Sequence, residues 1–178
     1  MDLGVISVRY ARALLKCATL EEHEHAIYED MTCLSKCYID VPELSVTIVN
    51  PMLSQENKQK VLESACGEHI HSLTKKFISL VIKEKRENVM QLMAASYITL
   101  YREKNKIISG QLITAKAVDA TTEAKMKKLI EDKTQATVEF NTQVDPEIIG
   151  GFILEYDTYR MDASVKTKLR TILTEFKK

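Results

Sequence analysis

The stretch NVMQLMAASYITLYREKNKIISGQLITAKAV, residues 88–118, contains the change of pattern that decides the fold. Before residue 106 the apolar residues recur at spacings of three and four, which is typical of helices. From residue 107 to 118 the segment instead has the apolar and β-branched content of a strand. The change predicts an all-helical domain over residues 1–105 and a second, smaller domain that contains strands over residues 106–178.

The first domain is predicted to be a six-helix bundle. Pro42 and Pro51 bracket the short third helix, because proline suits a first helical turn and stops the helix before it. Ser54 is a good N-cap for the fourth helix, and Gly67 is a natural stop after it. The predicted helices span approximately residues 4–19, 21–38, 43–50, 55–66, 70–86 and 88–105.

The second domain is predicted to have the order β-α-β-β-α, with a further short strand before the last helix, which makes the whole chain α+β. After the strand at 107–118, Thr121 or Thr122 caps a helix. Strict alternation over residues 138–144 predicts a strand with one wet face. A strand at 151–156, a turn at Asp157 and a short strand at 159–161 follow. The last helix has basic residues on its outward side and one apolar face: Val165, Leu169, Ile172, Leu173 and Phe176.

Charge and hydropathy restrict the partners of the chain. Its 178 residues include 25 Lys plus Arg and 25 Asp plus Glu, so the formal net charge is zero. A neutral chain lacks the long-range field that attracts nucleic acid or acidic lipid, and we expect no nucleic-acid partner. No run approaches the ~18 apolar residues of a membrane span. We therefore expect no direct membrane insertion.

The histidines and cysteines do not form a predicted metal site. The histidines occur in two pairs, each with a spacing of two: His23 with His25, and His69 with His71. On a helix this spacing separates the side chains by about 200°, so His23 and His25 could not bind one ion. His69 and His71 lie at a helix start, where a looser geometry is possible, and the alternative to metal binding there is a pair of solvated surface histidines. Cys33 and Cys37 share a helix face, but no further cysteine or histidine lies at ligand spacing, and buried thiols pack as small apolar groups.

Motifs for cofactor binding and catalysis are missing as well. The glycine pair at 150–151 lacks the spacing of a dinucleotide loop and the Lys-Ser/Thr ending of a phosphate-binding loop. No nucleophile motif and no zinc-protease motif occurs. We expect no cofactor, no catalytic residue and no enzymatic activity.

The first and fifth helices carry a wider apolar surface than packing against a core requires. Their apolar arcs span about 220° and 200°, whereas a surface helix needs a stripe of only ~100°. One interpretation is that both helices are wholly buried at the centre of the bundle. The other is that one stripe of each lines an exposed groove that binds an amphipathic helix of a partner. On the first helix that stripe is Ile6, Tyr10, Ala13, Leu14 and Cys17.

Three segments resemble the delta subunit of bacterial F-type ATP synthases, the family of the mitochondrial oligomycin-sensitivity-conferring protein. VISVRYARALLKCA, residues 5–18, is similar to the amino-terminal opening of the family, and KKFISLVIKEKRENV, residues 75–89, to its fifth helix. VEFNTQVDPEIIGGFILEYDTYRMDASVKTKL, residues 138–169, resembles its carboxy-terminal signature, matched at Gly150, Gly151, Phe152, Asp162, Ser164 and Val165. The chain departs from the family at Asp157 and Ala163, where the family commonly has glycine.

The resemblance implies a non-catalytic stator subunit that takes part in ATP synthesis and ion transport. It implies that residues 1–105 bind the catalytic head through the amino-terminal helices of alpha subunits, and that residues 106–178 contact the b subunits of the peripheral stalk. Such a link resists the torque of the rotor during ion-driven synthesis. The implied location is peripheral, on the cytoplasmic face of the bacterial inner membrane.

The resemblance also places the alpha-binding groove between the first and fifth helices. By position, Tyr10 and Ala13 match the groove side of the first helix and Leu80 that of the fifth, and spacing adds Ile6 and Phe77. The alternative function is a free-standing adaptor that binds amphipathic helices of other proteins.

Overall fold

A computed structural model describes residues 3–67, 69–119, 123–125, 127–128, 131, 137–156 and 159–176. The chain forms two compact units, Met1–Glu103 and Lys104–Lys178. The fold is α+β, as predicted: helices precede a mixed four-stranded sheet and one further helix follows it.

The first unit contains six α-helices among its described residues. They are α1 (Leu3–Leu20), α2 (Glu24–Asp40), α3 (Glu43–Val49), α4 (Gln55–Ala65), α5 (Ser72–Lys83) and α6 (Met90–Asn105), and a 3-10 turn at Glu87–Val89 precedes α6. The Ser54 hydroxyl accepts a hydrogen bond from Asn57 N at 3.3 Å, which is the predicted N-cap of α4. The start predicted for the second helix is too early, because Glu22 has a φ of 60° and lies in the turn between α1 and α2.

The core of the first unit is apolar, with two buried polar links. Its fully buried side chains include Ile27, Met31, Leu34, Leu62, Ile78, Val81, Met90, Met93 and Tyr97. The buried carboxylate of Asp30, on α2, accepts hydrogen bonds from Thr74 Oγ1 and from His71 N, at the start of α5. Lys58 Nζ lies 2.6 Å from the carboxylate of Glu87, so an ion pair ties α4 to the 3-10 turn. Pairing of this kind offsets the cost of burying the Asp30 carboxylate and the Lys58 ammonium. The second carboxylate oxygen of Glu87, Oε2, is buried without a hydrogen-bond partner among the described residues.

The sheet of the second unit has the order β2-β1-β3-β4. Its strands are β1 (Ile107–Thr114), β2 (Thr137–Val144), β3 (Phe152–Tyr156) and β4 (Tyr159–Asp162). β1 pairs with β2 in parallel and with β3 antiparallel, and β3 pairs antiparallel with β4. A parallel pair needs a crossover, and the described residues 123–125, 127–128 and 131 of the β1–β2 connection are helical. Leu112, Val138 and Leu154 form the buried centre of the sheet, with Phe152 packed against it.

The strand predicted over 107–118 is shorter in the structure. β1 ends at Thr114 because both partners run out there: Thr114 lies opposite Val144, the last residue of β2, and opposite Phe152, the first residue of β3. The Thr114 hydroxyl then donates to Lys116 O at 2.8 Å. The predicted caps Thr121 and Thr122 and the predicted turn at Asp157 lie outside the described residues.

The last helix, α7 (Val165–Phe176), differs from the expectation of a helix packed on a core. None of its residues is buried, and its apolar face is exposed along its full length, from 38% at Val165 to 85% at Phe176. The periodicity correctly predicts an amphipathic helix. It does not predict that the apolar side of this helix is left uncovered within the chain.

Candidate partner-binding cleft

A cleft of about 370 Å³ lies between α1 and α5, within the first unit. Its lining residues are Arg9, Tyr10, Ala13, Leu14, Cys17, Leu73, Lys76, Phe77 and Leu80. Most of these side chains are apolar, and none is acidic. A concave apolar surface of this kind binds apolar groups by removing them from water.

The α1 wall of the cleft follows from two overlapping stripes on one helix. Ala11 and Ala18 belong to the stripe that is buried in the core of the unit. The stripe that lines the cleft has the spacing i, i+3, i+4 and i+7 and consists of Tyr10, Ala13, Leu14 and Cys17. Leu14 belongs to both stripes, since it is also buried in the core. Ala13 is exposed at the centre of this stripe. Its small side chain leaves room for a partner to approach the backbone of α1.

The α5 wall is also divided between core and cleft. Ile78 and Val81 are buried in the core, whereas Leu73, Lys76 and Leu80 line the cleft. Leu80 is 48% exposed, which is unusual for a leucine on a helix whose other face is fully buried. The wide apolar arc of α5 therefore serves two surfaces.

Tyr10 is held at one end of the cleft by two contacts. Its ring meets Phe77 edge-on, with the ring centroids 6.4 Å apart. Arg86 Nη1 donates a hydrogen bond to the Tyr10 hydroxyl at 3.2 Å, and the guanidinium lies 5.4 Å from the ring centroid. Both arrangements are favourable for aromatic rings. Tyr10 thus presents a fixed surface to the cleft.

Four of the five predicted groove residues come together here. Tyr10, Ala13, Phe77 and Leu80 line the cleft, whereas Ile6 does not and is 8% exposed. The turn at Glu87–Val89 contacts α1, and the preceding residue Arg86 reaches Tyr10. The chain after α5 therefore contacts α1, and Ile6, one helical turn before Tyr10, is buried within the unit.

Sequence reasoning missed three cationic residues of the site. Arg9 and Lys76 line the cleft, although the pattern assigns them to the polar sides of their helices. Arg86 contacts Tyr10 across a sequence separation of 76 residues. No local pattern relates two such positions, and the available signal is that Arg86 lies three residues after the end of α5.

The glycine pair predicted as part of the signature makes a tight junction in the second unit. Gly151 has a φ of +76°, and a Cβ built on it would lie 2.3 Å from Ala163 O. A Cβ on Gly150 would lie 3.1 Å from Val165 Cγ2. Backbone hydrogen bonds join Ala163 N to Phe152 O and Val165 N to Gly150 O, both at 2.9 Å. The pair therefore lets two backbone segments approach closely, which is a structural role and not a phosphate-binding one.

Asp162 and Ser164 cap α7. The Ser164 hydroxyl accepts a hydrogen bond from Thr167 N at 3.2 Å. The Asp162 carboxylate accepts from Ser164 N at 2.9 Å and from the Thr167 hydroxyl at 2.8 Å. These hydrogen bonds, first those from Ser164 and then that from Thr167, lower the pKa of Asp162. The signature residues thus fix the start of the exposed helix α7.

The described part of the chain offers no centre for metal chemistry. No group of three or more His, Cys, Asp and Glu side chains within it could hold a metal ion. Burial raises the pKa of the Cys66 thiol to about 12, so it stays protonated and unreactive near neutral pH. Among the described helices, none combines the length and the apolar character needed to cross a membrane.

Comparison with known proteins decides the family. The family model for the ATP synthase delta (OSCP) subunit matches residues 6–176. The chain belongs to the ATP synthase delta (OSCP) family. The ATP synthase subunit delta of Phocaeicola vulgatus is 40% identical over 177 residues, covering 99% of this chain and 96% of the relative. That of Parabacteroides distasonis is 41% identical over 174 residues, covering 98% and 97%.

The fold agrees with that of a solved member of an ATP synthase assembly. A chain in the cryo-EM structure of the Toxoplasma gondii mitochondrial ATP synthase hexamer matches with a TM-score of 0.65 at 18% identity, covering 97% of each chain. The delta (OSCP) subunits are non-catalytic structural components of the peripheral stalk of F-type ATP synthases, so this chain is a stator component and not an enzyme.

Proposed function

We propose that this delta subunit links the alpha/beta catalytic head of an F-type ATP synthase to the b subunits of the peripheral stalk. The link resists rotor torque during ion-driven ATP synthesis. In this proposal residues 1–105 act as a six-helix bundle that binds the head, and residues 106–178 contact the stalk. The observation that carries it is the apolar cleft between α1 and α5, which is open to a partner helix.

The cleft suits the amino-terminal helix of an alpha subunit. Its walls are two helices, and helix-in-groove binding uses an apolar stripe of the partner with a spacing of three and four residues. A helix laid in such a groove can bury on the order of 1,000 Å² in total, which is within the range of specific interfaces. Apolar contacts of this kind favour slow release, and a stator requires slow release more than fast association.

The exposed face of α7 supports a stalk contact in the second unit. Leu169, Ile172 and Leu173 are each about half exposed, and Phe176 is 85% exposed. An apolar helix face left uncovered in one chain is typical of a surface that another chain covers. We assign this face to the b subunits, whose attachment would bury it.

The proposed location follows from the complex and from the relatives. Delta subunits of bacteria are the relatives at 40–41% identity. We place the protein at the cytoplasmic face of the bacterial inner membrane, attached through other subunits and without nucleic acid. A chain of zero net charge does not need a charged lipid or nucleic-acid partner for this role.

Calorimetric titration with a synthetic peptide tests the head contact. The peptide covers the first ~20–25 residues of the alpha subunit of the same organism, a length that forms several helical turns. Saturable one-to-one binding is expected. Ala13→Asp should weaken it by about 3 kcal/mol, roughly 100-fold in Kd, because the carboxylate would be desolvated in the cleft without a partner.

Ser79→Asp is the matched control. Ser79 lies on α5, is exposed and does not line the cleft, so the same change in charge should leave the affinity nearly unchanged. Circular dichroism checks that both variants stay folded. Equal affinity of folded Ala13→Asp and the unmodified protein would overturn the cleft as the binding site. Failure of a helix-competent alpha peptide to bind would favour the adaptor function over the stator link.

A further inference from the structure

The two walls of the cleft each carry one exposed cation. Arg9 projects from α1 and Lys76 from α5, and both are exposed residues of the cleft lining. Neither forms an ion pair or a side-chain hydrogen bond with any described residue. Among the residues that the structure describes, no acidic one lines the cleft. The apolar surface is therefore bordered by positive charge on both sides.

Arg9 and Lys76 are distinguished from other exposed cations of the first unit, such as Lys16 and Lys75, by their place in the cleft lining. Lys58 is paired with Glu87. Arg86, at the end of the same cleft, donates to the Tyr10 hydroxyl and lies over its ring. Arg86 is thus committed to positioning Tyr10, whereas Arg9 and Lys76 remain available to a bound partner.

We infer that the cleft selects an amphipathic partner helix that carries a carboxylate on each flank of its apolar stripe. This inference rests on the proposed function, since it specifies the chemistry of the helix that the cleft binds. One flank faces Arg9 and the other faces Lys76, because the two cations lie on opposite walls. Opposite charges at the edge of an interface steer association and fix orientation, and like charges reject the wrong partner.

Two designed peptides separate charge selection from apolar binding. Both have about 18 residues, about five helical turns, and share one apolar stripe at i, i+3, i+4 and i+7. One carries Glu on both flanks and the other carries Lys at the same positions. Affinity for the full chain is measured by fluorescence anisotropy in low and high salt.

The Glu-flanked peptide should bind about tenfold tighter at low salt, since two exposed ion pairs replace two repulsions. The difference should shrink at high salt because exposed charges are screened. In the double variant Arg9→Glu/Lys76→Glu the preference should reverse in favour of the Lys-flanked peptide. The control Lys16→Glu/Lys75→Glu has the same charge change at exposed positions of α1 and α5 outside the lining, and it should keep the original preference.

The failure of the inference and that of the proposed function give different results. Equal binding of both peptides, unchanged in the Arg9→Glu/Lys76→Glu variant, would overturn the charge selection and leave the cleft as a helix site. If the Lys16→Glu/Lys75→Glu control also loses its preference for the Glu-flanked peptide, the preference depends on the net charge of the protein. That result would also overturn the inference that Arg9 and Lys76 select the partner. If neither peptide binds, the cleft is not a helix site and both proposals fall.

Discussion

At Gly151 the backbone itself excludes a side chain. The φ of +76° lies in the region that non-glycine residues rarely adopt. The backbone carbonyl of Ala163 fills the space that a Cβ would need, and a carbonyl in a hydrogen-bonded turn cannot move aside as a flexible side chain can. The two constraints act together at this one residue.

Gly151→Ala should therefore lower the free energy of unfolding by about 2–4 kcal/mol, since it combines backbone strain with a steric overlap. Chemical denaturation followed by circular dichroism measures the change. Gly67→Ala is the matched control, because Gly67 has a φ of +109° but its Cβ would make an ordinary 3.8 Å contact with Cys33 Sγ. If Gly151→Ala lowers the free energy of unfolding no more than Gly67→Ala does, the close approach of the Ala163 carbonyl makes no contribution to the destabilisation.

The sequence predicts individual residues of the cleft lining where they recur at helical spacing along one helix. Tyr10 and Ala13 lie on a stripe of α1 that a count of three and four residues reveals, whereas Leu80 is assigned to the groove through the family resemblance. The structure places all three on one surface. Ile6 lies on the same stripe of α1 but is buried and does not line the cleft, because helical spacing does not determine which residues of a stripe the rest of the fold covers. The lining role of Arg9 also depends on the neighbouring helix and not on its own periodicity.

At the scale of elements, periodicity predicts a helix and its apolar face but not what covers that face. In α1 the wide arc is divided between a core stripe and a cleft stripe. In α7 the whole apolar face is exposed. The same amphipathic pattern thus corresponds to a buried core stripe, a cleft wall or a fully exposed face. The pattern does not distinguish them, because an apolar stripe can be covered either by the rest of its own chain or by a partner.

The exposed face of α7 gives a prediction on stability and binding together. Leu173 is 60% exposed, so Leu173→Asp should change the free energy of unfolding by no more than about 0.5 kcal/mol beyond the effect on helix propensity. Thr174→Asp is the control for propensity, since it places the same residue at the next position of the same helix, also exposed. Thermal melts should show the two variants as equally stable.

Binding should distinguish these two variants if α7 contacts the stalk. In a pull-down with purified b subunits, Leu173→Asp should reduce capture about tenfold or more, because it places a charge in an apolar interface, whereas Thr174→Asp should not. If Leu173→Asp unfolds the second unit, the face is part of a core. If it is stable and captures b subunits normally, the stalk contact lies elsewhere.

For the whole molecule, the change of pattern near residue 106 and the division of the structure after Glu103 mark the same region of the chain. All nine residues of the cleft lining lie between Arg9 and Leu80, within the first unit. The buried side chains around them, such as Ile78, Met93 and Tyr97, are in that unit as well. Among the described residues, those that line the cleft therefore include none of the second unit.

A fragment of residues 1–105, which ends with α6, should fold by itself and bind the alpha-subunit peptide as the full chain does. About 100 residues suffice for an independent core, and every described residue of the cleft lining lies within the fragment. Circular dichroism should show a cooperative helical melt, and calorimetry should give a Kd within about twofold of the full-chain value. The fragment 106–178 serves as the control and should not bind the peptide. A folded 1–105 fragment that binds much more weakly would mean that the second unit contributes to head attachment, and the two units could not then be assigned one partner each.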